Sequence, residues 1–285
     1  MVLAGLSHHE IEGVRIPLLV YGTAWKEERT EALVLQALRA GFRGIDTANQ
    51  RKHYHEAGVG AALQEAFARG IVERGDVFLQ TKFTYARGQD HRLPYDPRAP
   101  FVDQVEQSAA SSLTHLGVDA LDAYLLHGPS TFPGLGDADV EVWRAMEALH
   151  DAGRARLLGV SNVTAAQLQA LHEAARVKPA IVQNRTFTRP RADADVRAFC
   201  AGHGMAYEGF SLLTAIPQVL AHPAVVKMAA AHALTPAQLV LAYCLARGLV
   251  VLTGTTSEEH MVEDLALVDA RLGEDALATL DALVS

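Results

Sequence analysis

The segment Gly44–Gly60, which reads GIDTANQRKHYHEAGVG, contains the structural unit from which the fold can be predicted. It starts as a short apolar strand that ends in an acid, Gly44-Ile45-Asp46, and it ends as the first turns of a helix. A polar, cationic loop joins the two, and it contains a tyrosine and two histidines that could take part in proton transfer. A strand, a loop and a helix in this order form one β/α unit.

The same unit recurs along the whole chain, because short apolar runs alternate with stretches of helical spacing. The runs are continuous, as in strands that other layers cover on both faces. Two helix boundaries are marked: a helix over Arg29–Ala40 ends at Gly41, and Thr164 with Gln167 forms a capping box at the start of another. The predicted strands are Leu18–Thr23, Gly44–Thr47, Val77–Lys82, Asp122–His127, Leu157–Ser161, Ala180–Gln183, Ala206–Phe210 and Val250–Thr253.

Eight such units predict an α/β fold, a closed (β/α)₈ TIM barrel that forms a single domain over residues 1–285. The active site is then expected at the C-terminal face of the strands. An open doubly wound sheet is the alternative, but it would carry a G-x-G-x-x-G turn, and Gly22-Thr23-Ala24-Trp25 lacks that spacing. The long irregular segment Thr84–Pro100 follows the third strand, and we expect it to border the site.

Composition favours a soluble protein that acts on small molecules. Of the 285 residues 49% are hydrophobic and 20% are charged, and the net charge of -8 argues against nucleic acid or an anionic membrane as partner. The first residues, MVLAGLSHHEIEG, lack the features of a signal peptide, and no window resembles a membrane span, so a cytoplasmic location is expected. Cys200 and Cys244 are predicted to be reduced and buried.

Three consecutive strands end in titratable groups, namely Asp46, Lys82 and His127, and these ends are neighbours on one face of a barrel. Asp46 is expected to pair with Lys82, because an isolated buried charge is costly. The lysine would lower the pKa of a nearby phenol, which then becomes a general acid towards a carbonyl oxygen, and His127 would orient that oxygen. No G-x-S-x-G motif or metal-ligand set is present, so this arrangement requires a hydride donor and no metal.

Eight segments, in the family's order, resemble the aldo-keto reductases over almost the whole chain. The resemblance implies a (β/α)₈ barrel that reduces aldehydes or ketones to alcohols with NADPH, less often NADH. Its implied partner is a small carbonyl substrate, and the oligomeric state stays open. The segments are GFRGIDTA (Gly41–Ala48), EAGVGAAL (Glu56–Leu63), LQTKF (Leu79–Phe83), LDAYLLHGPS (Leu121–Ser130), LLGVSN (Leu157–Asn162), IVQN (Ile181–Asn184), GFSLL (Gly209–Leu213) and TGTTSEEHMVEDL (Thr253–Leu265).

The resemblance also implies the site residues. The catalytic group is Asp46, a tyrosine of the polar loop Asn49–Glu56 (the opening loop), Lys82 and His127. Independently of the resemblance, the position of Trp25, Tyr85 and Phe132 on loops of the catalytic face predicts that they form walls of the substrate pocket, with plain packing as the alternative for Trp25. The nicotinamide carboxamide would be bound by Ser161, Asn162 and Gln183, with Phe210 stacked on the ring; the remaining cofactor-binding residues would be Gly22, Thr23, Ser211, Leu213, Gly254, Thr255, Thr256, His260, Glu263 and Asp264.

The opening loop departs from the usual sequence pattern of the family in the spacing between the aspartate and the tyrosine. The catalytic tyrosine usually comes about five residues after the aspartate, where this chain has Arg51, which cannot donate a proton here. Tyr54 comes eight residues after Asp46, whereas counting back from Glu56 places His53 in the tyrosine's position. A phenol with an ordinary pKa near 10 suits proton donation better than an imidazole near 6.5, so Tyr54 is favoured over His53.

The adenosine end departs as well. Gly254 and His260 stand where many members have a lysine and an arginine that bind the 2′-phosphate. A neutral imidazole cannot form the two parallel bonds that arginine forms with a phosphate. NADP(H) is still expected on family frequency, with NAD(H) as the alternative. A non-catalytic NADP(H)-binding sensor is the alternative function, although a pure binder has no need of the Asp46, Lys82 and His127 trio.

Overall fold

The computed structural model describes residues 8–284, and within them eight parallel strands close into a barrel. An antiparallel hairpin, β1 (His8–Ile11) and β2 (Val14–Pro17), precedes the barrel. The last strand pairs with the first barrel strand and with its own predecessor, so the sheet has no free edge. The barrel strands are β3 (Leu19–Gly22), β4 (Gly44–Asp46), β5 (Phe78–Phe83), β6 (Leu121–Leu126), β7 (Ala155–Ser161), β8 (Ile181–Asn184), β9 (Ala206–Gly209) and β10 (Val250–Thr253).

The closed barrel confirms the predicted fold and excludes the open sheet. All eight predicted strands form, and their bounds differ from the prediction by at most two residues at either end. The predicted domain of residues 1–285 includes residues 1–7 and Ser285, which lie outside the described range. The hairpin was not predicted from the polar run at His8–Ile11. It turns at Gly13, whose φ of 73° favours glycine.

Helices follow the barrel strands and cover them, as the prediction requires. Helix α1 ends where Gly41 takes a φ of 121°, and Thr164 accepts a hydrogen bond from the Gln167 N–H at the start of α5, so both predicted boundaries are confirmed. The helices are α1 (Thr30–Ala40), α2 (Glu56–Ala68), α3 (Phe101–Leu116), α4 (Asp137–Asp151), α5 (Ala165–Ala174), α6 (Ala194–Gly202), α7 (Pro217–Leu220), α8 (Pro223–Ala231), α9 (Pro236–Ala246), α10 (Glu258–Ala266) and α11 (Glu274–Val284).

The barrel interior changes character along its axis. At the N-terminal end an apolar cluster fills the barrel, and Val14 and Ile16 of the hairpin pack against it and close that end. Towards the C-terminal ends of the strands the interior becomes polar, with Asp46 and Lys82 both buried. The site therefore lies above an apolar plug, at the face where the β/α loops converge.

The structure also bears on the predictions about the two cysteines and about membrane-spanning segments. Cys200 and Cys244 are buried free thiols, as predicted. No single helix in residues 8–284 has both the length and the apolar character of a membrane span. Helices α8 and α9, bent by 81° at their junction, meet that test only as a pair and only by length and composition.

Candidate active site

Asp46 and Lys82 form a buried ion pair at the C-terminal ends of the neighbouring strands β4 and β5. The Lys82 Nζ donates to Asp46 Oδ1 at 2.5 Å and to the Thr47 carbonyl oxygen at 2.8 Å. Neither side chain is more than 4% exposed. The expected pair therefore forms, and the shortness of β4 is what places Asp46 at the rim, directly before the opening loop.

The opening loop places Tyr54, and not His53, against this pair. The Lys82 Nζ lies 5.4 Å from the centroid of the Tyr54 ring, and that ring meets the His127 ring edge to face at 6.0 Å between centroids. His53 turns away: its ring lies 4.0 Å from that of Trp25, and its Nδ1 is 2.8 Å from Gln50 Oε1. Tyr54 is thus the loop residue that joins Asp46, Lys82 and His127.

The pKa of Tyr54 differs from the sequence expectation. Burial raises the pKa of the Tyr54 phenol above its ordinary value of 10, and the negative charge of Asp46 raises it further. The expected net lowering of this pKa is wrong, because burial and the charge of Asp46 both raise it and outweigh the opposing charge of Lys82. Tyr54 consequently keeps its proton at neutral pH, which a proton donor must do.

His127 is a neutral imidazole with one nitrogen already in use. Its Nδ1 lies 2.7 Å from the Thr84 hydroxyl. Burial lowers the pKa of His127 to about 3, and the nearby Lys82 charge lowers it as well. The Thr84 contact leaves Nε2 as the nitrogen that can meet a ligand, and as a neutral ring His127 can donate one hydrogen bond there.

A cavity of about 830 Å³ opens beside Tyr54 and runs over the strand ends to α10. This volume is typical of sites for sizeable organic ligands. Of the residues predicted to bind cofactor, those that line the cavity are Gly22, Ser161, Asn162, Gln183, Phe210, Ser211, Leu213, Gly254, Thr255, His260, Glu263 and Asp264.

Two predicted cofactor residues do not line the cavity. Thr23 is fully buried, and its hydroxyl donates to the Asp46 carbonyl oxygen at 2.9 Å, so it braces β3 against β4. Thr256 is exposed to solvent outside the cavity. Its neighbour Thr255 does line the cavity, and its carbonyl oxygen accepts a hydrogen bond from Tyr21 at 2.9 Å.

The cavity residues suit a nicotinamide dinucleotide in both shape and chemistry. Asn162 and Ser211 take φ values of 57° and 55°, and such strained conformations in non-glycine residues are frequent where the backbone is shaped around a ligand. At Gly254, a Cβ would come within 3.4 Å of the Gly22 carbonyl oxygen and of Lys26 Nζ, so the absence of a side chain keeps this end open. At the other end of the cavity, Ser161, Asn162 and Gln183 supply the hydroxyl and amide groups that a carboxamide requires as hydrogen-bond partners.

A second cavity of about 470 Å³ adjoins the first. Trp25, Tyr54, His127 and Asn162 line both, so the two meet at the proposed reacting groups. The residues predicted to form the substrate pocket, Trp25, Tyr85 and Phe132, all line this smaller cavity.

Those three aromatic residues differ in how firmly they are held. Tyr85 is buried and donates to Asp139 Oδ1 at 2.8 Å, whereas Trp25 and Phe132 are 67% and 81% exposed. The exposed pair leaves this pocket open at its mouth.

Sequence reasoning missed four charged residues of the site. Lys26 is buried, lines the larger cavity and donates to the Gly254 carbonyl oxygen, and burial lowers its pKa. Arg185 lines the same cavity, and Arg87 lines the smaller one, where it donates to the Pro129 and Ser130 carbonyl oxygens.

Glu208 is fully buried on β9 behind Gln183. A titratable side chain inside a predicted barrel strand was the available signal for Glu208.

The end of the larger cavity formed by the loop after β10 and by α10, where the sequence predicts that adenosine binds, contains two acidic side chains and one lysine, Lys26, at the Gly254 carbonyl oxygen. Glu263 and Asp264 line the cavity from α10, and Asp264 accepts a hydrogen bond from the Thr253 hydroxyl at 2.8 Å. His260 is exposed at the start of the same helix. Among residues 8–284, no three or more His, Cys, Asp and Glu side chains are grouped so as to hold a metal ion.

Comparison with known proteins gives one consistent answer. A sequence model of the aldo/keto reductase family matches residues 19–215. The chain is similar to the uncharacterized oxidoreductase YtbE of Bacillus subtilis, at 31% identity over 95% of this chain and 90% of that protein. It is also similar to a glyoxal reductase of the same organism, at 30% identity with the same coverage. The crystal structure of an aldo/keto reductase from Brucella melitensis superposes with a TM-score of 0.82 at 28% identity, covering 98% of this chain and 100% of that one. The chain belongs to the aldo/keto reductase family.

Proposed function

We propose that this protein reduces the carbonyl group of an aldehyde or ketone to an alcohol, with Tyr54 as proton donor and NADP(H) as the preferred cofactor. One observation carries the proposal: Tyr54 and His127 stand where the two cavities meet, and the Lys82–Asp46 pair lies directly behind the phenol. We further propose that the whole chain acts as one barrel domain.

The roles of the residues follow from their contacts. The neutral imidazole of His127, held through Nδ1 by Thr84, would donate from Nε2 to the carbonyl oxygen and fix its position. Tyr54, which keeps its proton at neutral pH, would transfer it to that oxygen as negative charge develops there. The bound nicotinamide would supply the hydride that reduces the carbonyl carbon.

Lys82 would stabilise the phenolate that remains after proton transfer, since its Nζ lies 5.4 Å from the centre of the Tyr54 ring. Asp46 keeps the lysine in place through a 2.5 Å bond. His53 is the less suitable donor, because its ring packs on Trp25 and burial lowers its pKa, with the charge of Lys52 as a further cause. The smaller cavity, with Trp25 and Phe132 at its mouth, would admit the substrate.

Family membership supports the reaction class, and a relative named as a glyoxal reductase supports a carbonyl substrate. Ser161, Asn162 and Gln183 line the cavity together, which supports their role in binding the carboxamide. Preference for NADP(H) rests on family frequency, since Gly254 and His260 stand in place of the lysine and arginine that many family members have at these positions.

Steady-state kinetics with NADPH and NADH against a panel of aldehydes and ketones test the proposal. We expect turnover of at least one carbonyl substrate and a higher kcat/KM with NADPH. A higher kcat/KM with NADH would reverse the cofactor assignment. Tight cofactor binding without turnover of any carbonyl compound would instead favour the NADP(H)-binding sensor.

A further inference from the structure

The buried Glu208 has no part in the reaction described so far, although it lies beside the residues that perform it. It belongs to β9 and its side chain is fully buried inside the barrel, where an ionised carboxylate is costly. The charged groups that act on it are Asp46 from β4 and Lys82 from β5. The barrel interior thus holds two carboxylic groups and a single ammonium group at this level.

Two glutamine side chains join the two carboxylic groups. Gln183 Nε2 donates to Glu208 Oε2 at 2.7 Å and to Asp46 Oδ1 at 3.0 Å. Gln80 Nε2 donates to the same two oxygen atoms at 2.7 and 2.9 Å. Each amide nitrogen therefore spends both of its hydrogens on one bond to Glu208 and one to Asp46.

The two glutamines differ in where their oxygen atoms lie. Gln183 lines the larger cavity, and no residue in 8–284 donates a hydrogen bond to its Oε1. Gln80 does not line the cavity, and its Oε1 is buried without a partner. Because both partners of the Gln183 nitrogen are acceptors, the amide cannot turn over without losing both bonds, so its oxygen must point away from them.

We propose that Glu208 is a positioning residue for the cofactor: it holds the Gln183 amide with the nitrogen inward, so that Oε1 is presented to the N–H of the nicotinamide carboxamide. This inference rests on the proposed function, because it concerns the same nicotinamide site. Asp46 alone could satisfy only one of the two amide hydrogens, and a Gln183 side chain held by one bond could rotate.

Protonation of Glu208 is compatible with this role. Burial raises the pKa of the Glu208 carboxyl to about 7, and the nearby Asp46 charge adds to the effect. In either protonation state Oε2 can still accept both amide hydrogens, since a proton can reside on Oε1, which has no partner. A simple brace across the barrel would need the same hydrogen bonds, so the test must separate orientation of Gln183 from general stability.

The experiment compares binding of NADP⁺ with binding of its 3-acetylpyridine analogue, in which a methyl group replaces the carboxamide –NH₂. Intrinsic fluorescence titration of the wild type and of Glu208→Leu gives both dissociation constants without turnover. We expect the dissociation constant for NADP⁺ to rise about tenfold in Glu208→Leu, the equivalent of one misplaced hydrogen bond. The analogue has no N–H to lose, so its dissociation constant should change less than twofold.

Gln80→Leu is the matched control, because Gln80 makes the same two bonds without reaching the cavity. Gln80→Leu should either weaken the binding of NADP⁺ and of the analogue equally or leave both unchanged. Gln183→Leu should reproduce the selective loss of NADP⁺ affinity expected in Glu208→Leu. Glu208→Gln, which keeps an oxygen acceptor, should retain most of the wild-type preference. If Glu208→Leu does not fold, Glu208→Ala leaves room for water beside the amides and is measured in its place.

Two results would overturn the inference. Equal weakening of NADP⁺ and the analogue in Glu208→Leu would show that Glu208 acts only as a brace, and no weakening of either would show that Gln183 is positioned without it. Both results leave the proposed function intact. Failure of the wild type to bind any nicotinamide dinucleotide would overturn the proposed function and this inference together.

Discussion

The two ends of the larger cavity differ in how deeply their side chains are buried and in the elements that carry them. At the end proposed to bind nicotinamide, Asp46, Lys82, Gln183 and Glu208 all belong to barrel strands, and none is more than 3% exposed. At the end proposed to bind adenosine, Gly254, Thr256 and His260 lie on the loop after β10 and on the first turn of α10, and all are exposed. A group held by several buried hydrogen bonds is in position before a ligand arrives, whereas an exposed side chain must be ordered by the ligand.

Substitutions at the two ends should therefore affect different properties of the enzyme. Changes at the strand end should alter rate or stability as well as affinity, because they leave buried polar groups unpaired. Changes at the adenosine end should alter only affinity and cofactor selectivity. Three substitutions test the contrast, and their expected effects decrease in the order given.

Tyr54→Phe should lower kcat by about 10²–10⁴-fold, because it removes the proposed general acid and leaves the ring in place. Cofactor affinity should change little. Steady-state kinetics and a cofactor titration measure the two effects, and His53→Ala is the control, with kcat expected within a fewfold of the wild type. A larger loss in His53→Ala than in Tyr54→Phe would assign proton donation to the histidine.

Glu208→Gln should change how stability depends on pH. The carboxyl's pKa rises from 4.5 to about 7 on folding, so the folded state holds the proton more tightly. The free energy of unfolding contributed by this group is therefore largest below pH 4.5 and is lost as pH rises to about 7, by up to about 3 kcal/mol. Urea unfolding across this range should show that slope in the wild type relative to Glu208→Gln.

The comparison between the two proteins isolates Glu208 from other titrating groups. His127, whose pKa is lowered to about 3, contributes the opposite slope and does so equally in both proteins. Parallel pH profiles for the wild type and Glu208→Gln would mean that the carboxyl titrates alike in the folded and unfolded chains.

His260→Arg should have the smallest effect, an increase of about tenfold in NADPH affinity, since an arginine can form two bonds with a 2′-phosphate. NADH lacks that phosphate, so its dissociation constant serves as the internal control and should not change. Fluorescence titration with both cofactors gives the ratio. Equal gains for NADH and NADPH would place the 2′-position elsewhere in the cavity.

Much of the site could be predicted because strand ends are easy to locate in this sequence. Continuous apolar runs that stop at Asp46, Lys82 and His127 identify both the strands and their titratable ends. Glu208 was harder, because it lies within a strand of only four residues, where the side of the barrel that a residue faces is not apparent. Its partner Gln80 is 128 residues away in the chain, and only closure of the barrel brings the two together.

The barrel, the family and the set of groups at the strand ends could all be predicted from the sequence, because apolar periodicity and strand termini are local properties of the chain. Which loop residue faces Lys82 could be learned only from the three-dimensional structure. The unusual sequence of the opening loop is compatible with either Tyr54 or His53 in that position, and the packing of His53 on Trp25 excludes His53. The direction of the Tyr54 pKa shift could likewise be learned only from the structure. That direction depends on burial and on the distances to Asp46 and Lys82, which are non-local quantities that no run of residues contains.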